Sequence, residues 1–184
     1  MEIKITTSQL LKVVHVISWV LFISLCVETG GILCNSLYAF FWNPAAAANF
    51  WEGANLLPLL THDPGYFLVI TCIMTIAAVF KTLIFYLIIV LLSKKGLNFS
   101  SPFSSELHRF LSSISYLTLG IGLFSYCGGN YSEWLASKNV IMPTLEQMRL
   151  AGADVWLFMS ITLFIITQIF KRGMELQSEN DLTI

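Results

Sequence analysis

The sequence is poor in charge. Of its 184 residues only 11% are Asp, Glu, Lys or Arg, whereas 56% are hydrophobic. Soluble domains carry about 25% charged residues, and a soluble chain of this size could not bury so much apolar surface. The composition therefore excludes an ordinary soluble domain and predicts a membrane protein. The formal net charge of -1 gives no basic excess, so we expect no direct nucleic-acid partner.

The sequence also lacks enzyme motifs. It has no Ser-His-Asp order, no HExxH, no phosphate loop and no paired catalytic carboxylates. We therefore expect no catalytic residues, metal or cofactor. Its four cysteines show no CxxC spacing, which favours a packing role for each. Cys34 and Cys72 fall at similar predicted depth, which permits a disulfide without requiring one.

Four apolar stretches are each about as long as the 20 helical residues that a bilayer core requires. Barrel strands would show alternating polarity, which is absent, and helices satisfy their own backbone hydrogen bonds in lipid. The first stretch is too long for a signal peptide and carries Glu28 near its centre. The sequence therefore predicts an all-α, integral membrane four-helix bundle in contact with the lipid bilayer. It forms a single domain over 1–184, with spans at 13–41, 66–92, 110–127 and 150–170.

Basic residues predict the orientation, because Lys and Arg accumulate in cytoplasmic loops. An inside N-terminus puts only Lys138 and Arg149 outside and leaves Lys81 within a span. Both termini are therefore predicted to be cytoplasmic. In the outer loop that follows the first span, 45–60 is expected to form a short helix on the membrane surface. The seven basic residues on the predicted cytoplasmic side are Lys4, Lys12, Lys94, Lys95, Arg109, Lys171 and Arg172.

Glu28 and Lys81 lie near the middle of the first two spans. A central ionised residue costs about 2.5–3.5 kcal/mol to insert, which favours pairing these two side chains inside the bundle. Such a pair has two interpretations: a structural ion pair that docks the helices, or a proton- or ion-coupled site. Ser24, Gly31 and Asn35 share the Glu28 face and predict close packing against another helix.

Two histidines suggest a further alternative. His15 and His108 lie near the cytoplasmic ends of the first and third spans. Histidines at similar depth on different helices of a bundle can ligate haem, although ordinary interfacial side chains would show the same placement.

The C-terminal tail and the predicted inner loop carry a family resemblance. The tail contains Arg172-Gly173, then Leu176, and closes on Glu179-Asn180-Asp181-Leu182-Thr183-Ile184. The loop contains Pro102-Phe103-Ser104, followed by Arg109, Leu111 and Ile114. Both are similar to a bacterial membrane-protein family catalogued as domain of unknown function 2975. The resemblance implies a bacterial cytoplasmic membrane protein, often encoded beside a small helix-turn-helix regulator. It implies no catalytic residue, ligand or cofactor.

Both resembling segments fall on the predicted cytoplasmic side, which suggests a docking surface. Gly173 has the character of a helix end. The tail beyond it would pair as a strand with a partner, fold back on the inner loop, or merely cap the last helix.

The leading hypothesis is a non-enzymatic sensory or regulatory membrane partner of a cytoplasmic transcriptional regulator. The alternatives are a small transporter or permease subunit using Glu28 and Lys81, and a haem protein using His15 and His108. Homo-oligomerisation is left open. The predicted cytoplasmic surface comprises Pro102, Phe103, Ser104, Arg109, Gly173, Leu176, Glu179, Asp181, Leu182, Thr183 and Ile184.

Overall fold

A computed structural model of the chain describes residues 7–93 and 104–181. This part of the chain is helical, with α-helices joined by short irregular segments. The α-helices are α1 (Thr7–Phe41), α2 (Leu57–His62), α3 (Pro64–Ser93), α4 (Ser105–Ser137) and α5 (Ala153–Asp181), and a 3₁₀ helix covers Pro44–Asn49.

Four of these helices are long and apolar enough to cross a membrane. The predicted all-α fold with four spans is confirmed, and the chain is a multi-pass membrane protein. Most helix ends extend beyond the predicted spans, because hydropathy marks the lipid-facing part of a helix rather than its ends, whereas α1 ends at Phe41 as predicted and α5 begins at Ala153, after the predicted start at 150. Gly128 and Gly129 lower the hydropathy of α4, yet both are buried within the helix, which continues to Ser137. The candidate spans are Gln9–Phe41, Pro64–Ser93, Ser105–Ser137 and Ala153–Glu179.

The long helices pack as antiparallel neighbours in the order α1, α3, α4, α5. Thr29 of α1 and Thr82 of α3 share a hydrogen bond of 3.0 Å between their hydroxyl oxygens. At the other seam, the Ser115 hydroxyl of α4 donates to the Ser160 carbonyl of α5. The outward faces of α1 and α5 carry exposed apolar side chains that suit contact with lipid. Examples are Val13, Val16, Val20, Val27, Val155, Phe158, Ile161 and Ile169.

The antiparallel arrangement gives the molecule two ends. We call the end with the connections 42–63 and 138–152 the loop end, and the end where α1 begins and α5 finishes the terminal end. Which of them faces the cytoplasm stays a prediction from the basic residues.

The first connection folds into the bundle, so the predicted surface helix at 45–60 is wrong. Ala47, Phe50, Leu56 and Leu59 are fully buried. The backbone turns back on itself, since the Leu56 amide donates to the Ala47 carbonyl at 2.8 Å. Packing against the helices stabilises this arrangement by removing apolar surface from water, at about 25 cal/mol per Å².

The prediction that Gly173 ends the last helix is also wrong. Helix α5 continues through it to Asp181, about 17 Å beyond Phe170 at 1.5 Å per residue. Glycine in a helix interior costs about 1 kcal/mol relative to alanine, and the helical turns on both sides of Gly173 offset this cost. The Arg172 guanidinium also donates to Glu175 at 2.9 Å on the same face. The tail over 171–181 is therefore a helical extension.

The cysteines do not pack in the interior. Cys26, Cys34, Cys72 and Cys127 are all exposed and all free, so the permitted Cys34–Cys72 disulfide is not formed. Each of these cysteines lies on one of the four candidate spanning helices.

Candidate functional site

The candidate site is a group of four charged side chains that we call the charge cluster: Glu28, Glu52, Lys81 and Arg149. Two come from spanning helices and two from the connections that fold in at the loop end. Their carboxylates and cations balance, which lowers the cost of placing them inside a membrane protein.

Glu28 and Lys81 lie in the same layer of the α1–α3 seam. The layer is set by their chain neighbours, since Thr29 and Thr82 bond to each other and the Thr82 hydroxyl also donates to Leu25 at 3.3 Å. Glu28 is close enough to act on Lys81 electrostatically. The contacts made by each side chain nevertheless go to Arg149, so a direct Glu28–Lys81 ion pair stays a prediction.

Lys81 donates from Nζ to the backbone carbonyl of Arg149 at 2.8 Å. The carbonyl belongs to the connection between α4 and α5, so one hydrogen bond ties that connection to the centre of α3. A bond to a charged donor contributes about 1.5–3 kcal/mol, more than a neutral one. Lys81 therefore holds the backbone of the connection at mid-helix depth.

The side chain of Arg149 joins the two carboxylates of the cluster. Its Nε lies 3.7 Å from Oε2 of Glu28, and its terminal Nη2 donates to Glu52. Glu28 is largely buried, with 14% of its side chain exposed, whereas Glu52 is half exposed at 51%. Arg149 therefore bridges α1 and both connections, with its more solvated partner at Glu52.

The backbone at both bridging residues is in the left-handed region. Glu52 has φ of 47° and Arg149 has φ of 59°. Such φ values are unfavourable for residues with a Cβ and persist only where the surroundings impose them. Arg149 lies between Met148 and Leu150, which are 0% and 1% exposed and anchor the turn.

Of the three residues that share the Glu28 face, Gly31 and Asn35 pack against the first connection rather than against another helix as predicted, and Ser24 is exposed. A Cβ built on Gly31 would lie 2.6 Å from Cε3 of Trp51, so the indole occupies the space that a side chain would need. Asn35 donates from its side-chain amide to the carbonyl of Phe50. Small residues on α1 thus let the connection approach the helix backbone.

Two buried N–H groups, one in the charge cluster and one on the neighbouring Trp51, are left unpaired. Nε of Arg149 and Nε1 of Trp51 are buried without a hydrogen-bond partner in the structure. At 3.7 Å the Arg149 Nε–Glu28 contact is an ion pair rather than a hydrogen bond. Arg149 therefore has a spare donor beside two carboxylates. Within 7–93 and 104–181, no group of three His, Cys, Asp or Glu side chains has a metal-binding arrangement.

Sequence reasoning missed Glu52 and Arg149. It counted Arg149 as one of two external basic residues and gave Glu52 no role. No local motif identifies either residue, because their contact spans 97 positions and depends on both connections folding inward.

The two histidines of the haem alternative lie on α1 and α4, which are not among the helix pairs that pack extensively in the described chain. Nε2 of His15 accepts a hydrogen bond from the Trp19 indole at 2.9 Å. The helix order therefore gives no support to ligation by this pair.

At the terminal end, the predicted cytoplasmic surface is described only in part. Pro102, Phe103, Leu182, Thr183 and Ile184 lie outside the described residues. Ser104 caps α4, since its hydroxyl accepts a hydrogen bond from the Leu107 amide at 3.3 Å.

Other members of this surface lie on helices α4 and α5. Arg109 lines a pocket of about 310 Å³ between α3 and α4. Gly173 is partly buried, Leu176 is 48% exposed, and Glu179 and Asp181 lie in the last turns of α5.

Comparison with known proteins identifies a family. The chain matches none of the curated proteins and none of the solved structures. Residues 42–184 match the model of a family described as protein of unknown function (DUF2975). The match includes three members of the charge cluster and excludes α1 with Glu28. Because the matched segment covers most of the sequence, the chain belongs to the DUF2975 family.

Proposed function

We propose that this protein is a non-enzymatic membrane relay, which couples the state of its loop end to a cytoplasmic regulator docked at its terminal end. The observation that carries the proposal is the continuity of α5. This helix begins four residues after Arg149 and runs without a break to Asp181. The cation that joins the two carboxylates of the charge cluster is thus attached to one end of a rod about 44 Å long.

The far end of the rod suits a protein partner. Beyond the apolar span, α5 has an exposed Leu176 beside the Arg172–Glu175 ion pair. A helix that combines an apolar anchor with charges matches the helix-in-groove mode of recognition. The predicted orientation puts this end in the cytoplasm, where a transcriptional regulator of the kind implied by the family resemblance would meet it.

A change in the cluster would reach the tail through α5 itself. In the proposed second state the Arg149 side chain leaves Glu52, and the displacement passes to α5 through Gly152, which has φ of 76° and lies between the anchored turn and the helix. The helix is rigid, so a displacement at its start appears as a shift or rotation along its length. The two alternative states are Arg149 held by Glu52 and Arg149 released from it.

Hydrogen exchange tests the coupling. The protein in lipid nanodiscs is compared with Arg149→Gln, and exchange is measured for the segment 171–184. We expect several-fold faster or slower exchange in the variant, and no change in Glu133→Gln, which removes an exposed carboxylate at the loop end outside the cluster. Equal exchange in all three proteins would refute the relay.

Co-purification tests the partner. Tagged full-length protein and a version ending before Gly173 are isolated from cells with mild cross-linking. A regulator recovered with the full chain, and lost with the tail, supports the docking proposal. Equal recovery of every partner by both proteins contradicts it.

Transport is the second candidate function, because Glu28 and Lys81 of the charge cluster both lie within candidate membrane spans. Replacing both by Leu in reconstituted vesicles should abolish a proton-coupled flux if the protein is a transporter. Retention of any measured flux, with unchanged or improved thermal stability, would assign the pair a structural role.

A further inference from the structure

A second group of side chains at the loop end has no part in the charge cluster. Tyr66 at the start of α3 and Tyr131 and Trp134 near the end of α4 form a group of mutually contacting rings, which we call the aromatic cage. The Tyr66 and Trp134 ring centroids are 5.5 Å apart and their planes meet at 75°. Tyr131 stacks behind Trp134 at 5.6 Å and 25°. Two ring faces thus stand nearly at right angles and form the walls of a corner.

A cation already occupies this corner. Nζ of Lys138 lies 3.8 Å from the centroid of the Trp134 ring and 5.5 Å from that of Tyr66. Both distances are within the range of about 6 Å for attraction between a cation and a ring face. Lys138 is the first residue after α4 and forms no ion pair in the described parts of the chain. The rings, rather than a carboxylate, therefore hold its charge.

The surroundings increase the preference for positive charge. The Asp63 carboxylate is fixed at the start of α3, next to the cage, by accepting from the Gly65 amide at 2.6 Å and the Tyr66 amide at 3.1 Å. The ring of His62 stacks on Tyr66 at 6.1 Å. A fixed carboxylate beside perpendicular aromatic faces is the chemistry that recognises trimethylammonium groups.

We infer that the aromatic cage is a binding site for a quaternary ammonium group, and that Lys138 is an internal occupant which the ligand displaces. The site is accessible, since 42% of Trp134 is exposed and Lys138 is also exposed. A trimethylammonium group forms no strong hydrogen bonds with water, so it is desolvated for the rings more readily than the ammonium of lysine. This inference stands independently of the relay, because none of the cage residues belongs to the charge cluster.

Two sources carry this group: a free solute such as choline, and the headgroup of a choline phospholipid. Saturation-transfer NMR with choline as the probe measures binding to the full-length protein in nanodiscs made of phosphatidylglycerol. We expect saturable binding with a dissociation constant on the order of 1 mM, as expected for a small ligand held by few contacts. The same titration in phosphatidylcholine nanodiscs separates the sources. Loss of binding there indicates a lipid headgroup, and unchanged binding indicates a free solute.

The decisive variant removes the Lys138 ammonium, the internal occupant, because the proposal predicts that the affinity for choline then increases. Lys138→Gln should bind choline roughly 2- to 30-fold tighter, because the cation–ring attraction that the ligand must replace is about 0.5–2 kcal/mol. Lys171→Gln removes the same charge at the terminal end and should leave affinity unchanged. Trp134→Phe retains a ring and should weaken binding, with circular dichroism showing that it is folded.

The neutral carbon isostere of choline, with a tert-butyl group in place of trimethylammonium, should not compete. Competition by this isostere, unchanged affinity in Lys138→Gln, or non-saturable binding in the phosphatidylglycerol nanodiscs would each overturn the assignment.

Discussion

The approach of Trp51 to Gly31 predicts a sharp difference between two adjacent glycines of α1. A Cβ built on Gly31 lies 2.6 Å from Cε3 and from Cη2 of the Trp51 ring, whereas one built on Gly30 meets nothing within 4 Å. Carbon atoms in favourable contact are about 3.5–4.0 Å apart, so Gly31→Ala must displace the indole by about 1 Å or more. Gly30→Ala needs no such movement.

The two variants share every other effect. Each replaces a helical glycine by alanine, which adds about 0.5–1 kcal/mol of helix stability. Only Gly31→Ala adds overpacking, which costs about 1–3 kcal/mol in a well-packed interior. The difference between their free energies of unfolding should therefore be about 1–3 kcal/mol, with Gly31→Ala the less stable.

Thermal unfolding in nanodiscs, followed by circular dichroism, measures the difference. A further variant, Trp51→Ala, should cancel most of the penalty when combined with Gly31→Ala, because the clash loses one partner. Equal stability of Gly30→Ala and Gly31→Ala would contradict the packing of the first connection on α1, and would remove the basis for placing Glu52 in the charge cluster.

Two further predictions concern helix packing and helix entry. Gly122→Ala should destabilise the α4–α5 seam by about 1–3 kcal/mol, because its Cβ would lie 3.0 Å from the Leu157 backbone nitrogen. Gly129→Ala should be tolerated, since its nearest contact is 3.6 Å; thermal unfolding that ranks the two equally would contradict this. Ser104→Ala should cost about 0.5–2 kcal/mol by removing the acceptor for the Leu107 amide, whereas Ser104→Asp should retain it. Equal hydrogen exchange in the first turn of α4 in both Ser104 variants would argue against the cap.

The resemblance of the tail and inner loop to the DUF2975 family was visible in the sequence and is confirmed by the match over 42–184. The helical state of the tail was not visible there. Glycine after two basic residues is typical of a helix end. In the structure Gly173 nevertheless lies within α5, with helical residues on both sides of it. A local signal of this kind is weak against the cooperativity of a long helix.

The sequence by itself determined the membrane placement, the helical class and the number of spans. These follow from the length and apolarity of local stretches, since a backbone in lipid must satisfy its own hydrogen bonds. Only the tertiary structure brought Arg149 to Glu28 and Glu52, and set Lys138 against the rings of Tyr66 and Trp134. Apart from the contact of Lys138 with Trp134, four positions away, these contacts join residues far apart in the chain. They depend on connections whose buried apolar residues fold inward, and no periodicity in the sequence records where a connection will come to lie.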